Sequence, residues 1–138
     1  YVPNIKEGLK NRRLSIVHDP EGKSRVIAIF DYLSQCCLKL ISDQLFNKLR
    51  HFGQDRTFTQ DPYIERDGDN HYWSLDLTAA TDRFPIQIQQ DLLTEMLDKH
   101  VAFAWKCCMI REPFAYQNGK TITYYKYAIG QPMGAQSS

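Results

Sequence analysis

The spacing of apolar residues changes period several times along this chain, and that switching restricts the fold more than any other feature. Leu14, Ile16 and His18 alternate with Ser15 and Val17, the turn-forming run Asp19-Pro20-Glu21-Gly22 follows, and Ser24 to Phe30 is apolar and β-branched. A hairpin is predicted there, with Lys23 and Arg25 just past its turn. After Asp31, a good N-cap, apolar residues recur at Leu33, Cys36/Cys37, Leu40/Ile41, Leu45, Leu49 and Phe52. That spacing predicts a helix over 32–52, stopped by Gly53, and then an aperiodic loop over 54–70. Tyr72 to Leu77 returns to a period of two, predicting a strand with Trp73, Leu75 and Leu77 on one face and Asp76 on the other, near its C-terminal end. Beyond a turn at Thr78 to Pro85, Ile86, Leu92/Leu93, Met96/Leu97, Val101 and Ala104/Trp105 predict one long second helix. Asn118-Gly119 centres a second hairpin over 111–127, and Gly130-Gln131-Pro132-Met133-Gly134 is too rich in breakers for a regular element. Hairpins and helices in this succession predict an α+β fold.

A chain of 138 residues suits one compact domain, and its 43% hydrophobic and 24% charged residues exclude disordered, collagen-like and disulfide-scaffold classes. No apolar run approaches the ~18–20 residues that cross a bilayer, and residues 1–30 lack the apolar block of a secretory leader. The start at Tyr1 and the stop inside a Gly/Ser-rich stretch read as a piece of a longer protein. The net charge of +1 conceals segregation: residues 55–98 carry ten Asp/Glu against three Lys/Arg, whereas 1–25 carry six Lys/Arg against three acids and 99–138 five against one. An acidic middle between basic flanks suits a site that holds cations and meets a polyanion, and it also suits a solvated acidic surface. Cys36-Cys37 and Cys107-Cys108 are adjacent pairs, and His18, His51, His71 and His100 fall in no ligand-like spacing, so zinc is not indicated. Buried, reduced thiols are expected instead.

Few residues offer chemistry. Asp76 and Asp82 bracket the small residues of Leu-Thr-Ala-Ala-Thr, where two carboxylates can hold a hard divalent ion or act as helix caps. An acid/base pair of the glycosidase kind lacks a companion group and a sugar cleft. Lys23 and Arg25 can neutralise a triphosphate or simply decorate a hairpin tip. Gly130 to Ser138 can approach a nucleic-acid backbone, with Ser137 or Ser138 as hydroxyl donor, or be a plain loop. Tyr124, Tyr125 and Tyr127 near Lys126 can stack on bases or cover a core.

Four blocks in order carry a resemblance: Gly22-Lys23-Ser24-Arg25-Val26-Ile27-Ala28 with Asp31 and Gln35; Gln54 to Gln60; Ser74-Leu75-Asp76-Leu77-Thr78-Ala79-Ala80-Thr81-Asp82-Arg83-Phe84-Pro85; and Gly130-Gln131-Pro132-Met133-Gly134-Ala135-Gln136-Ser137-Ser138. The chain resembles the RNA-dependent RNA polymerase of mitoviruses. The resemblance implies part of a right-hand polymerase: a fingers-like segment over 1–70 with the motif F hairpin and helix, and a partial palm over 71–138 with the motif A strand, the long helix, the second hairpin and the start of motif B. Asp76 would be the motif A metal ligand and catalytic carboxylate, for Mg²⁺ or alternatively Mn²⁺. Asp82 would sense the ribose 2′-hydroxyl, Lys23 and Arg25 would bind the triphosphate, and Gly130, Met133, Gly134, Ser137 and Ser138 would seat template and nascent pair. RNA, NTPs and the remainder of the polymerase chain would be the partners, and the host mitochondrion the compartment. Leu40 and Ser42 stand where family members often show Pro-x-His. The Gly-Asp-Asp of motif C and the motif B helix are absent, so these residues alone would be inactive. A degenerate copy resident in a host genome and a non-catalytic RNA-binding module are the alternatives, and a reverse transcriptase fits less well because Asp82 is not bulky.

Overall fold

A computed structural model describes residues 12–20, 22–59, 68 and 73–138. Its elements are β1 (Arg13–His18), β2 (Ser24–Ile29), α1 (Tyr32–Leu49), the single-turn α2 (Ala80–Arg83), α3 (Ile86–Met96), α4 (Lys99–Ile110), β3 (Phe114–Asn118) and β4 (Thr121–Tyr125), an α+β chain as expected.

Both hairpins form. β1 and β2 pair antiparallel from Arg13 opposite Ile29 to His18 opposite Ser24, and the turn closes through the Asp19 N–H on the Lys23 carbonyl at 2.7 Å. In the second hairpin Asn118 pairs with Thr121, so the two-residue loop is Gly119-Lys120, one residue later than Asn118-Gly119 implied. Its positive φ, 60°, falls on Gly119 at the first loop position, the distribution of a II′ turn. No periodicity announces how the hairpins meet: Arg13 pairs in parallel with Ala115, whose N–H donates to the Arg12 carbonyl at 2.9 Å. The result is one sheet of order β2-β1-β3-β4, built from both halves of the chain.

Asp31 caps α1 by accepting from the Ser34 N–H at 2.9 Å and the Ser34 hydroxyl at 2.6 Å. Arg12 is buried behind this cap: its Nε donates to Asp31 at 3.3 Å, its Nη2 to the Ser34 oxygen at 2.9 Å, and its guanidinium lies 4.9 Å from the Phe30 ring centre. The core gathers Ala28, Phe30, Leu38, Leu93, Trp105, Met109 and Phe114 into one cluster. Phe114 is fully buried and meets Phe30 edge-on at 5.1 Å and Tyr127 at 5.8 Å. Large side chains buried this way contribute roughly 1.5–3 kcal/mol each, so the aromatic trio anchors the junction of the two hairpins.

Four expectations need correction. α1 ends at Leu49, because residues 51–52 tighten into i→i+3 turns, with His51 N–H on Lys48 O at 3.0 Å and Phe52 N–H on Leu49 O at 2.9 Å. The long second helix is two helices: Leu97 leaves helical geometry and Asp98 is extended, its carboxylate accepting the N–H groups of His100 at 2.7 Å and Val101 at 3.4 Å to start α4. An Asp inside an apolar period offers the backbone this alternative to continuing. The strand expected over 72–77 does not form. Tyr72 lies outside the described residues, and 73–77 join no ladder among the described residues, with Trp73, Leu75 and Leu77 at 90%, 91% and 69% exposure. A period of two specifies a pleat, but a strand exists only when another backbone pairs with it. The thiols are free but not buried, with Cys36 and Cys37 exposed and Cys107 and Cys108 half-buried.

The loop expected over 54–70 is described to residue 59, with residue 68 beyond it. Asp55 accepts from the Thr57 hydroxyl at 2.7 Å, and Phe58 packs edge-on against Phe46 at 5.9 Å under the Arg50 guanidinium, so this turn folds back on the end of α1.

Candidate functional site

Residues 73–77 lead into a tight turn that Ala79 enters at φ 52°, ψ 47°. Left-handed backbone costs a non-glycine residue roughly 1–2 kcal/mol, and the bonds from Arg83 N–H to Ala79 O at 3.1 Å and Phe84 N–H to Ala80 O at 2.8 Å hold it there. The small residues leave a cleft of about 300 Å³ bounded by Asp76, Thr78, Arg83 and Phe84. Asp76 is exposed at this cleft. Asp82 is half-buried on α2, beside the phenol of Tyr127. Burial, then the Asp82 charge, raise the Tyr127 pKa above the ordinary phenol value, while the Met133 backbone N–H pulls it the other way. One hydroxyl therefore lies between the Asp82 carboxylate and the backbone of the Met133 loop.

That loop, 129–138, is irregular yet bonded almost throughout. The Ile86 N–H donates to Ile129 O at 2.8 Å, the Gln131 N–H to Thr81 O at 2.9 Å, and the Ala28 N–H to Met133 O at 2.7 Å. The Gln35 amide takes Gly134 O and the Gln136 N–H, both at 2.8 Å, and the Trp105 indole N–H donates to the Ser137 oxygen at 2.9 Å. The Ser138 hydroxyl donates within the loop to Ala135 O at 2.9 Å. Gly130 is buried against α2, where a Cβ would strike the carbonyl groups of Asp82 and Thr81. Gly134, at φ +111°, would place a Cβ 2.6 Å from Ala28 O. Both positions accept only glycine without displacement of backbone.

Lys23 and Arg25 are exposed near the hairpin turn, and the Arg25 Nε lies 3.6 Å from an Asp19 carboxylate oxygen. An exposed pair at that distance contributes little, which leaves the guanidinium accessible to a stronger anion. β2 runs from these cations to Ala28, where the loop docks. The structure thus brings Asp82, Gly130, Met133, Gly134, Ser137 and Ser138 into one assembly, and links it to Lys23 and Arg25 by a shared strand. Asp76 reaches none of them through a hydrogen bond or ion pair among the described residues. Nor do the described residues contain a cluster of three or more His, Cys, Asp or Glu, and Asp76 is the one carboxylate among the described residues that line the cleft, where a two-metal site needs several. These residues do not by themselves fit a divalent-metal pair.

Sequence reading assigned no role to Arg12, Gln35 or Trp105. Basic and amide side chains are usually exposed, so nothing in the local pattern marks Arg12 as buried or Gln35 as a bridge. Tyr127 stood between base stacking and core cover. It covers the core, and it also meets Asp82.

A family model described as mitovirus RNA-dependent RNA polymerase matches residues 2–138. The RNA-directed RNA polymerase of Cryphonectria parasitica mitovirus 1 is 33% identical over 132 residues, 91% of this chain and 16% of that protein. An uncharacterized mitochondrial protein of Arabidopsis thaliana is 30% identical over 95 residues, 64% of this chain and 46% of its own. The chain therefore spans less than half the length of either relative. No solved structure matches it.

Proposed function

This chain belongs to the mitovirus RNA-dependent RNA polymerase family, and from that premise we propose that it supplies the nucleotide-facing part of an RNA-templated nucleotidyl transferase. The observation that supports this reading is the seating of the Gly130 to Ser138 loop, bonded on one side to the Asp82 turn and on the other to β2 of the Lys23/Arg25 hairpin. An incoming NTP needs its triphosphate neutralised, its sugar identified and its base pair held. Lys23 and Arg25 offer accessible cations for the first. Asp82, oriented by Tyr127, offers an acceptor for a 2′-hydroxyl. Gly130, Met133 and Gly134 offer close-packed backbone against which a nascent pair can rest, and Ser137, whose oxygen accepts from Trp105, keeps its own O–H to donate.

Asp76 is proposed as one carboxylate donor toward a divalent cation, Mg²⁺ or Mn²⁺, with the remaining donors supplied by other parts of the polymerase. Residues 1–70 then serve as a fingers-like segment and 71–138 as part of a palm, although strands from both sides share one sheet. RNA template, product and NTPs are the proposed ligands. The host mitochondrion is the proposed compartment, in keeping with the mitochondrial Arabidopsis relative.

The test is primer extension by the full-length polymerase carrying this segment. Asp76→Asn preserves size but removes the charge and turns one acceptor oxygen into an N–H donor, so turnover should collapse with every NTP. Unchanged turnover would overturn the catalytic reading of Asp76.

Similarity to a plant mitochondrial protein favours a second reading, a host-resident copy without activity. Sequencing the flanking nucleic acid separates the two. An open frame in a free RNA supports the polymerase, and host DNA interrupted by stop codons supports the copy.

A further inference from the structure

Gln35 lies one turn into α1, four residues past the cap at Asp31, and spends both ends of its amide on a segment about a hundred residues later in the chain. Its Nε2 donates to Gly134 O at 2.8 Å and its Oε1 accepts the Gln136 N–H at 2.8 Å. The loop has no ladder of its own there, so this one side chain satisfies a carbonyl and an N–H that would otherwise need water. Beside it the Ala28 N–H of β2 holds Met133 O at 2.7 Å. The base of α1 is in turn tied down, since Arg12 bridges Asp31 and Ser34 from behind. Three hydrogen bonds thus fasten residues 133–136 to the end of the basic hairpin and to the capped start of α1.

We infer that Gln35 is a positioning residue, which holds the loop of Met133 to Ser138 in register with the hairpin that carries Lys23 and Arg25. It touches no substrate itself. Resting on the function proposed above, the inference couples the grip on the nascent base pair to the grip on the triphosphate through this amide together with the Ala28–Met133 bond. Only an amide gives a donor and an acceptor in one plane at this length. Glutamate would keep the acceptor for the Gln136 N–H but turn a carboxylate toward the Gly134 carbonyl. Methionine would keep the length and lose both bonds.

The experiment compares Gln35→Met and Gln35→Glu with the parent full-length polymerase, in primer extension at varied NTP concentration. A loosened loop weakens nucleotide seating, so the KM for the correct NTP should rise roughly tenfold, as expected for losing two ordinary hydrogen bonds, while kcat stays within about twofold. A merely structural role would lower the amount of active enzyme, seen as reduced kcat at unchanged KM, and would overturn the inference. Met133→Ala, run in parallel, tests the reading of the loop itself. If it raises KM while Gln35→Met does not, the inference fails alone; if neither moves KM, the loop reading fails with it. Hydrogen exchange on the unmutated protein gives an answer even if the variants do not fold. The Gln136 amide should be protected comparably to that of Ala28, and exchange at the rate of open loop would overturn the proposal.

Discussion

Asp76 and Asp82 stand six positions apart in different surroundings. Asp76 is exposed at a cleft, whereas Asp82 is half-buried beside Tyr127 and under the Gly130 backbone. In the full-length polymerase, Asp82→Ala should lower ribonucleotide use more than deoxyribonucleotide use, narrowing discrimination by roughly 1–3 kcal/mol, the cost of an unmatched polar partner. Competition between NTP and dNTP in primer extension measures it, and equal loss with both sugars would leave Asp82 structural. Asp31 carries a prediction about acid. Burial opposes its charge, but bonds from the Ser34 hydroxyl and N–H and from Arg12 together hold its carboxyl below the ordinary value of 3.8. A group depressed in the folded state stabilises above its unfolded pKa and loses that contribution as pH falls through the folded one. The melting-temperature gap between the chain and Asp31→Asn should therefore be largest near neutrality and close as pH falls through the depressed folded-state pKa. A gap independent of pH would show that the charge of Asp31 does not matter.

At the scale of elements, the loop behaves as a fitted part although no ladder defines it. Gly130→Ala and Gly134→Ala each force a Cβ into backbone, the second also at positive φ. Neither clash can be relieved by moving a flexible side chain, so each should destabilise by about 1–3 kcal/mol, read by urea denaturation at unchanged slope. Gly53→Ala, which meets open space, is the matched control and should change stability little. Much of this scale was legible beforehand. Turn chemistry marked both hairpins, and Asp31 with its helical period marked α1. The break between α3 and α4 was written in Asp98, but an apolar period passing on both sides hid it, since a capping Asp and a solvent-facing Asp look alike until the backbone is seen to turn.

Across the whole molecule, one sheet and one core unite segments from both halves of the chain, while Trp73, Leu75 and Leu77 stay exposed and this segment joins no ladder among the described residues. Exposed apolar side chains grouped in this way favour association. The 138-residue chain should therefore self-associate, with a sedimentation coefficient that rises with concentration, and Leu75→Lys should reduce the effect. A monomer at every concentration would argue against this face as the sticky one. The same chain should not extend a primer, because Asp76 is the one carboxylate among the described residues that line the cleft. Template-dependent incorporation by it would overturn the division of the site between this chain and the rest of the polymerase.

What the sequence by itself determined is local. Turn residues, capping side chains and short-range periodicity act within a few positions, and they set the hairpins and the start of α1. What only the tertiary structure decided is every pairing across distance: Arg13 with Ala115, Gln35 with Gly134 and Gln136, Trp105 with Ser137, Tyr127 with Asp82. Such contacts depend on which donors and acceptors the closing of the core brings side by side, which no local pattern states. The same reason explains Trp73 to Leu77. Its alternation fits a strand, but a strand is a property of two backbones, and no second backbone among the described residues pairs with it.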